Sequence, residues 1–273
     1  MGARQACGEE RGDDGLSEIR IEALTELDQF DQCVALQDEV WGYDITGMMT
    51  QKVFLLASRI GGQVLGAYDG DTLSGYAMSL PGVRNGHAYL HSHHLAVLAQ
   101  WRNLGVGRKL KLAQREDALA RGFELMEWTF DPLEIKNAHL NIAKLGAIVR
   151  RYKRNFYGPS SSPLHGGLPT DRIYAEWWLK SDRVTRTLAG ESPAIHTTEH
   201  VDVPAALAEW KMNDEERPKA LEVQERNASS LEDAFARGLA VIGYERTADG
   251  DGRYLLGHWN ENLEYGEEAN HED

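Results

Sequence analysis

Apolar positions along the chain change period repeatedly, and each change marks an element. Ile19, Ile21 and Ala23 alternate with Arg20, Glu22 and Leu24, the period of a strand. Thr25-Glu26-Leu27-Asp28 opens a helix with a box-like cap, and Phe30, Cys33, Val34, Val40 and Trp41 give it one apolar face. A second helix begins near Thr50, carries Val53, Phe54 and Leu56, and stops at Gly61-Gly62. Residues 63–69 and 72–80 read as a hairpin across Asp69-Gly70-Asp71, with a turn at Pro81-Gly82. Residues 89–97 are a strand, 106–121 a helix stopped by Gly122, and 123–130 a strand. Asp131-Pro132 opens a helix ending at Leu145-Gly146. Residues 147–152 and 172–179 are late strands, separated by a loop rich in Gly, Ser and Pro.

Beyond Lys180 the pattern changes. Residues 181–198 read as a linker, and Asp202 is placed to cap a short helix around 204–210. Pro218 starts a longer helix with Leu221, Ala228, Leu231 and Phe235 in one stripe, stopped by Gly238. Residues 239–244 and 254–259 form a hairpin across Asp249-Gly250-Asp251-Gly252. One helix and one hairpin are too small to stand alone, so this extension is expected to pack on the preceding domain or on a second subunit. The expected organisation is a polar tail over 1–17, a domain over 18–180, a linker over 181–200, the extension over 201–260 and an acidic tail over 261–273.

With 42% hydrophobic and 26% charged residues, the 273-residue chain has the composition of a soluble globular protein. A net charge of -14 argues against broad binding to nucleic acid or anionic membranes. Some of the acid sits in the two ends, which leaves the basic residues concentrated in the middle. Cys7 and Cys33 make no disulfide framework and fit a reducing cytoplasm. No apolar run is long enough to span a bilayer, and residues 1–17 lack the apolar core of a signal peptide.

The most informative stretch joins the strand at 89–97 to the helix at 106. Its loop is Arg102-Asn103-Leu104-Gly105-Val106-Gly107. Two glycines let backbone amides approach a bulky anion, and the helix that follows offers unpaired N–H groups and the positive end of its dipole. Arg102, Arg108 and Lys109 add charge to this pyrophosphate-type site. Arg102-x-x-Gly105-x-Gly107, after a strand and opening a helix, resembles the acyl-CoA signature of the GNAT superfamily of N-acyltransferases, and the element order from Ile19 to Leu179 is similar to that family's. The resemblance is nearest to a branch of acetyl- and succinyltransferases with a C-terminal extension. It implies an α/β (α+β) fold: a mixed, mostly antiparallel sheet with helices on both faces. It also implies that backbone groups of Leu95, Ala96 and Val97 hold the pantetheine arm and that residues 102–107, with Arg108, hold the pyrophosphate. Relatives carry an Asn near the cofactor on the next helix, which points to Asn137 and Asn141, and then a Tyr that protonates the departing thiolate. Ile142 stands at that Tyr position, leaving Tyr152 and Tyr157 as weaker candidates.

Four histidines, His87, His91, His93 and His94, surround or occupy the strand. Alternation places His91 and His93 on one face and His94 on the other. Histidine suits removal of a proton from an attacking ammonium near neutral pH, so His93 or His94 is a candidate general base, with Glu127 as a rival. These side chains can equally be polar fillers of a half-buried sheet. Histidines at i and i+2 can share a metal ion, but no cysteine and no spaced third ligand accompanies them, so no metal is expected. Arg84 and Arg151 are candidates for gripping a substrate carboxylate; the basic run around Arg151 can also be a solvated strand edge.

The expected function is transfer of an acetyl or succinyl group from acetyl-CoA or succinyl-CoA to the amine of a small molecule such as an amino acid. The expected setting is cytoplasmic, with no nucleic-acid or membrane partner; the sequence leaves the oligomeric state open, and the free edge of the C-terminal hairpin offers a place where a homodimer could pair. Two other readings are an acyl-CoA-binding module without catalysis and a metal-dependent hydrolase built on the histidine strand.

Overall fold

The computed structural model describes residues 19–42, 47–158 and 165–259. Both tails, 1–17 and 261–273, lie outside them, and with them Cys7. The described strands form one ten-stranded sheet. In chain order the elements are β1 (Arg20–Ala23), α1 (Leu27–Trp41), α2 (Gln51–Arg59), β2 (Gln63–Asp69), β3 (Thr72–Arg84), β4 (His87–Val97), α3 (Val106–Ala120), β5 (Leu125–Phe130), α4 (Ile135–Ala138), a π-helical turn (His139–Lys144), β6 (Ile148–Lys153) and β7 (Arg172–Trp178). The extension adds α5 (Asp182–Leu188), β8 (Glu199–Val203), α6 (Leu207–Trp210), α7 (Arg217–Ala236), β9 (Leu239–Arg246) and β10 (Gly252–His258). Strand order is β1-β2-β3-β4-β5-β7-β6-β9-β10-β8. Every strand pair with a recorded register is antiparallel except β4 with β5. The expected mixed, mostly antiparallel sheet with helices on both faces is therefore present.

Hydrophobic stripes decide which helix covers which face. Phe30, Cys33 and Phe54 of α1 and α2 pack on Tyr76, Met78 and Ala96. Val106 and Leu110 of α3 pack on Leu65, Ala67 and Ala77 from the other side. Farther along that second face, a larger core joins Ala118 of α3 to Met126, Trp128, Ile142 and Trp177, and on to Val223, Leu231 and Tyr254 of the extension. Trp177 is fully buried, and its indole N–H donates to the Leu145 carbonyl over 2.7 Å, which satisfies the polar end of the largest core side chain.

Several boundaries differ from the sequence reading. The cap of α1 is shifted by one residue: Gln29 Oε1 accepts the Glu26 N–H at 3.1 Å and the Thr25 N–H at 2.9 Å. Pro81-Gly82 is not a turn. Both lie inside β3, paired with Leu90 and Tyr89, and the reversal falls at Asn85-Gly86, where both φ are positive, at 48° and 82°. Gly82 is needed for close approach, because a Cβ there would lie 2.7 Å from the Tyr89 ring. Residues 181–198 are not a bare linker. Ser181 Oγ accepts the Val184 N–H and starts α5, whose Arg183 and Val184 are buried. Asp202 belongs to β8, not to a helix cap, and pairs with Arg253 at 2.7 Å.

The extension continues the sheet of the preceding domain. Val149 of β6 pairs with Val241 of β9, and the Tyr254 hydroxyl donates to the Pro132 carbonyl over 2.7 Å. β8 covers the outer side of β10, so the hairpin edge expected to be free is paired, and β8 becomes the terminal strand. Replacing Tyr254 by Phe removes a buried hydrogen bond between extension and core. Urea unfolding should show a loss of roughly 1–2 kcal/mol, with an unchanged dependence on denaturant.

Candidate functional site

β4 and β5 are paired at two positions only, Leu90 with Met126 and His91 with Glu127. β5 continues to Phe130 along β7, and β4 continues to Val97 along β3. After the His91–Glu127 rung, residues 92–97 and 128–130 are unpaired with each other, so a wedge opens between two strands that are each secured on their outer sides. The inner edge of β4 there carries backbone groups that β5 does not pair, and Leu95, Ala96 and Val97 lie on it. Ala96 is fully buried and Val97 partly so.

The mouth of the wedge leads to the loop before α3. Asn103 and Gly105 take positive φ, 63° and 80°, and Gly105 caps α3 without a side-chain hydrogen bond. The first helical acceptor, the Gly105 carbonyl, is taken by the Lys109 N–H. The amides of Val106, Gly107 and Arg108 precede any acceptor the helix can supply. Gly107 has no positive φ, and a Cβ placed on it would meet Leu95 only at an ordinary 3.7 Å. Neither conformation nor protein packing requires glycine at 107, and the missing Cβ leaves the backbone there open to close approach. Arg102, Asn103, Leu104 and Gly105 are exposed, whereas Arg102 Nε is drawn back to the Val97 carbonyl at 2.9 Å.

The histidines do not alternate. Met78 pairs with His94 and the next residue, Ser79, pairs with Ser92, so His93 is the extra residue of a β-bulge. The bulge brings His93 and His94 to one face, where their rings stack with centroids 4.6 Å apart, and His91 follows at 6.2 Å from His93. This is the α1–α2 face: the Trp41 ring lies 4.6 Å from His94, and the Tyr76 hydroxyl is 2.9 Å from His94 Nδ1. Burial, and then His93, push His94 down to about 3; burial, and then His91, hold His93 below the usual imidazole range. Both are neutral at pH 7, with His94 buttressing His93.

Glu127 lies on the same face and is 3% exposed. Its carboxylate is bonded to Arg84 and to Arg151 at 2.6 Å, and His91 Nδ1 lies 3.6 Å from it. Burial alone would raise its pKa, but the His91 hydrogen bond and the two guanidinium groups outweigh burial and bring it to about 2. So firmly ionised a carboxylate is a poor proton acceptor, and the arrangement suits it to anchoring. Arg84 is buried against it; Arg151 is partly exposed, with its guanidinium 4.1 Å from the centre of the Tyr174 ring.

On the following helix the π-helical turn rotates the chain, so Asn137 is exposed and Asn141 buried, and the two do not share a face. Ile142 is fully buried. Tyr152 donates to Asp171 at 2.6 Å in the core, and burial, followed by that bond, raises its pKa. Tyr157 reaches Thr129 Oγ1 at 3.2 Å and is half-exposed. Among the described residues, no three His, Cys, Asp or Glu side chains are grouped to hold a metal ion. No described helix is long and apolar enough to cross a membrane.

Residues 26–146 match the family model of the acetyltransferase (GNAT) family. They form a GNAT acetyltransferase domain. No curated protein matches the chain. Solved structures similar to it include the ribosomal-protein-S18-alanine N-acetyltransferase of Escherichia coli (15% identity over 60% of this chain and 95% of that one, TM-score 0.49). Similar too are the yncA protein of Salmonella typhimurium with acetyl-CoA (15%, 61% and 98%, 0.49) and an N-acetyltransferase of Staphylococcus aureus (16%, 59% and 99%, 0.48). The GNAT match takes in the wedge, the Gly105–Gly107 loop, the histidine bulge and Glu127. It stops short of Arg151, which comes from β6.

One residue of the GNAT domain escaped the sequence reading. Lys111 lies fully buried on α3, with its ammonium nitrogen 3.6 Å from the centre of the Trp128 ring. Its place in an otherwise amphipathic helix resembles that of a solvated lysine, and only the strand geometry above it distinguishes it.

The carboxylate of Glu127 carries a pH signature. A folded pKa depressed from 4.5 to about 2 adds stability that is complete above the unfolded value and vanishes as pH falls through the folded one. Glu127→Gln should therefore be less stable than the parent by roughly 3 kcal/mol at pH 7, and the gap should close between pH 4.5 and 2 in denaturant titrations.

Proposed function

We propose that the chain is a cytoplasmic acyl-CoA-dependent N-acyltransferase that moves an acetyl or succinyl group to the amine of a small molecule, such as an amino acid. The observation that carries this is the continuity between the β4–β5 wedge and the uncapped amides of Val106, Gly107 and Arg108. Bound acyl-CoA supplies the activated thioester. The chain supplies position: the edge of β4 at Leu95–Val97 for the pantetheine arm, and the 102–108 loop for the pyrophosphate. Bringing two reactants together in this way accounts for much of the acceleration in such transfers. A strand N–H directed at the thioester oxygen would stabilise charge developing there.

The acceptor would approach on the histidine face. Of the candidate bases, His93 fits best: it stands at the bulge, burial keeps it below the usual imidazole range, and it is less buried than His94. It takes a proton from the attacking amine directly or through water. Arg151, partly exposed beside its contacts with Glu127, Glu176 and the Tyr174 ring, would add a carboxylate of the acceptor or of the acyl group to that cluster. One observation favours a binding module without catalysis: Ile142 and the occupied Tyr152 leave no tyrosine acid on the helix side.

Titration with CoA, acetyl-CoA and succinyl-CoA should raise the melting temperature, because each binds only the folded state. Gly107→Ala should melt like the parent without ligand yet lose most of that response, since a Cβ fits the protein but intrudes on the anion. Absence of a response in the parent would sink the assignment. In turnover assays against a panel of amines, His93→Gln should lower kcat by about 100-fold. The acid limb of kcat/KM should lie below pH 6.5, because His93 stays neutral to lower pH than a free imidazole, and the variant should lack that limb. An unaltered profile would mean that water alone takes the proton.

A further inference from the structure

Lys111 lies at the apex of the wedge. Its Nζ donates to Ser92 Oγ over 2.7 Å and sits 3.6 Å from the centre of the Trp128 ring. Ser92 and Trp128 each follow the last paired rung, His91 with Glu127. One nitrogen therefore spans the two strands where they part. It does so on the α3 face, opposite the histidines and Glu127.

The surroundings are unusual for a lysine. Residue exposure is 1%, and no carboxylate pairs with it among the described residues. Ser92 Oγ donates onward to Gln114 Oε1 at 3.0 Å, and Gln114 Nε2 is buried without a partner. Burial holds the amine well below the usual lysine range, which favours its uncharged form. A buried amine lacking a counter-ion is a costly feature for stability alone, since a methionine would fill the same space.

Distance along β4 relates this nitrogen to the ligand. Val97 to Ser92 is five residues, about 16 Å at roughly 3.3 Å each, which is near the reach of an extended pantetheine arm anchored at the 102–108 loop. An arm laid along β4 from the loop, shortened a little by the bulge at His93, would carry its sulfur toward Ser92 and Trp128. We propose that Lys111 is a catalytic residue that stabilises the departing CoA thiolate. The inference rests on the acyl-CoA reading above. As the acceptor nitrogen bonds to the carbonyl carbon, the C–S bond breaks and its electron pair passes to sulfur. Lys111 directs an N–H at that sulfur. His93 takes the proton of the acceptor nitrogen and releases it to solvent, and one proton from solvent reaches the sulfur–amine pair, held first as thiolate with ammonium and released as neutral thiol with neutral amine. The acceptor and its base work on one face of the sheet, and the leaving group is received on the other.

The test is the pH titration of the CoA thiol bound to the full-length protein, followed by the ultraviolet absorbance of the thiolate. In the parent it should titrate at least about one pH unit lower than in Lys111→Met, a tenfold change in thiolate. With acetyl-CoA as donor, Lys111→Met should lose about 100-fold in kcat with KM for acetyl-CoA nearly unchanged. Ser92→Ala, which frees the amine from its anchor, should move the thiol titration part of the way; it also carries the test if Lys111→Met does not fold, as judged by circular dichroism. Identical thiol titrations in parent and variants, with CoA bound, overturn the role of Lys111 alone. No thermal response to CoA in the parent overturns this role together with the acyltransferase reading.

Discussion

The carboxylate of Glu127 fixes where the sheet can open. From β5 it holds Arg84 of β3, His91 of β4 and Arg151 of β6, and Arg151 also reaches Glu176 of β7 at 3.6 Å. Five neighbouring strands thus meet around one small ionic cluster. Buried charges of this kind contribute little net stability compared with an apolar core, but each demands its partner, so they are strict about register. A one-residue slip of β4 against β5 would turn His91 away and leave Arg84 and Glu127 buried without full compensation. Pairing is locked at that rung, and the two strands are released immediately after it.

α3 connects both ends of the opening. Gly107 belongs to its first turn, and Lys111 lies four residues on, one turn deeper on the same side. One rigid element therefore offers bare amides at the mouth and a buried amine at the apex. The geometry between anion and sulfur is set by helix and strand rather than by a loop, which favours preorganisation.

Much of this was legible in the sequence because it depends on local rules. Period-two and helical apolar patterns gave most elements, and Arg102-x-x-Gly105-x-Gly107 needs only its neighbours to be read. What was not legible depended on distant partners. Pro81-Gly82 has turn composition, but Gly82 serves the Tyr89 ring seven residues away. The bulge at His93 has no mark in the sequence, because alternation cannot show which residue its partner strand will skip. Glu199 to Val203 shows only Val201 and Val203 as apolar positions, too short a pattern to announce an edge strand without β10 beside it. Glu127 looked like a base because its residue type allows that; three cationic or donor groups from other strands made it an anchor. Lys111 was missed for the same reason, since nothing local distinguishes a buried lysine from a solvated one.

The order of strands imposes an order of assembly. β8 precedes β9 and β10 in the chain, yet it lies outside both and pairs with β10 alone. As the polypeptide emerges during synthesis, residues 199–203 have no site to occupy until 239–258 have been made and laid against β6. The earlier part of the sheet, β1 to β7, has all its own strands by Trp178 and is free to close first. The wedge and its loop are therefore complete in sequence before the last third of the chain exists, and the extension is added to the far side of a sheet already formed, with its outermost strand docking last.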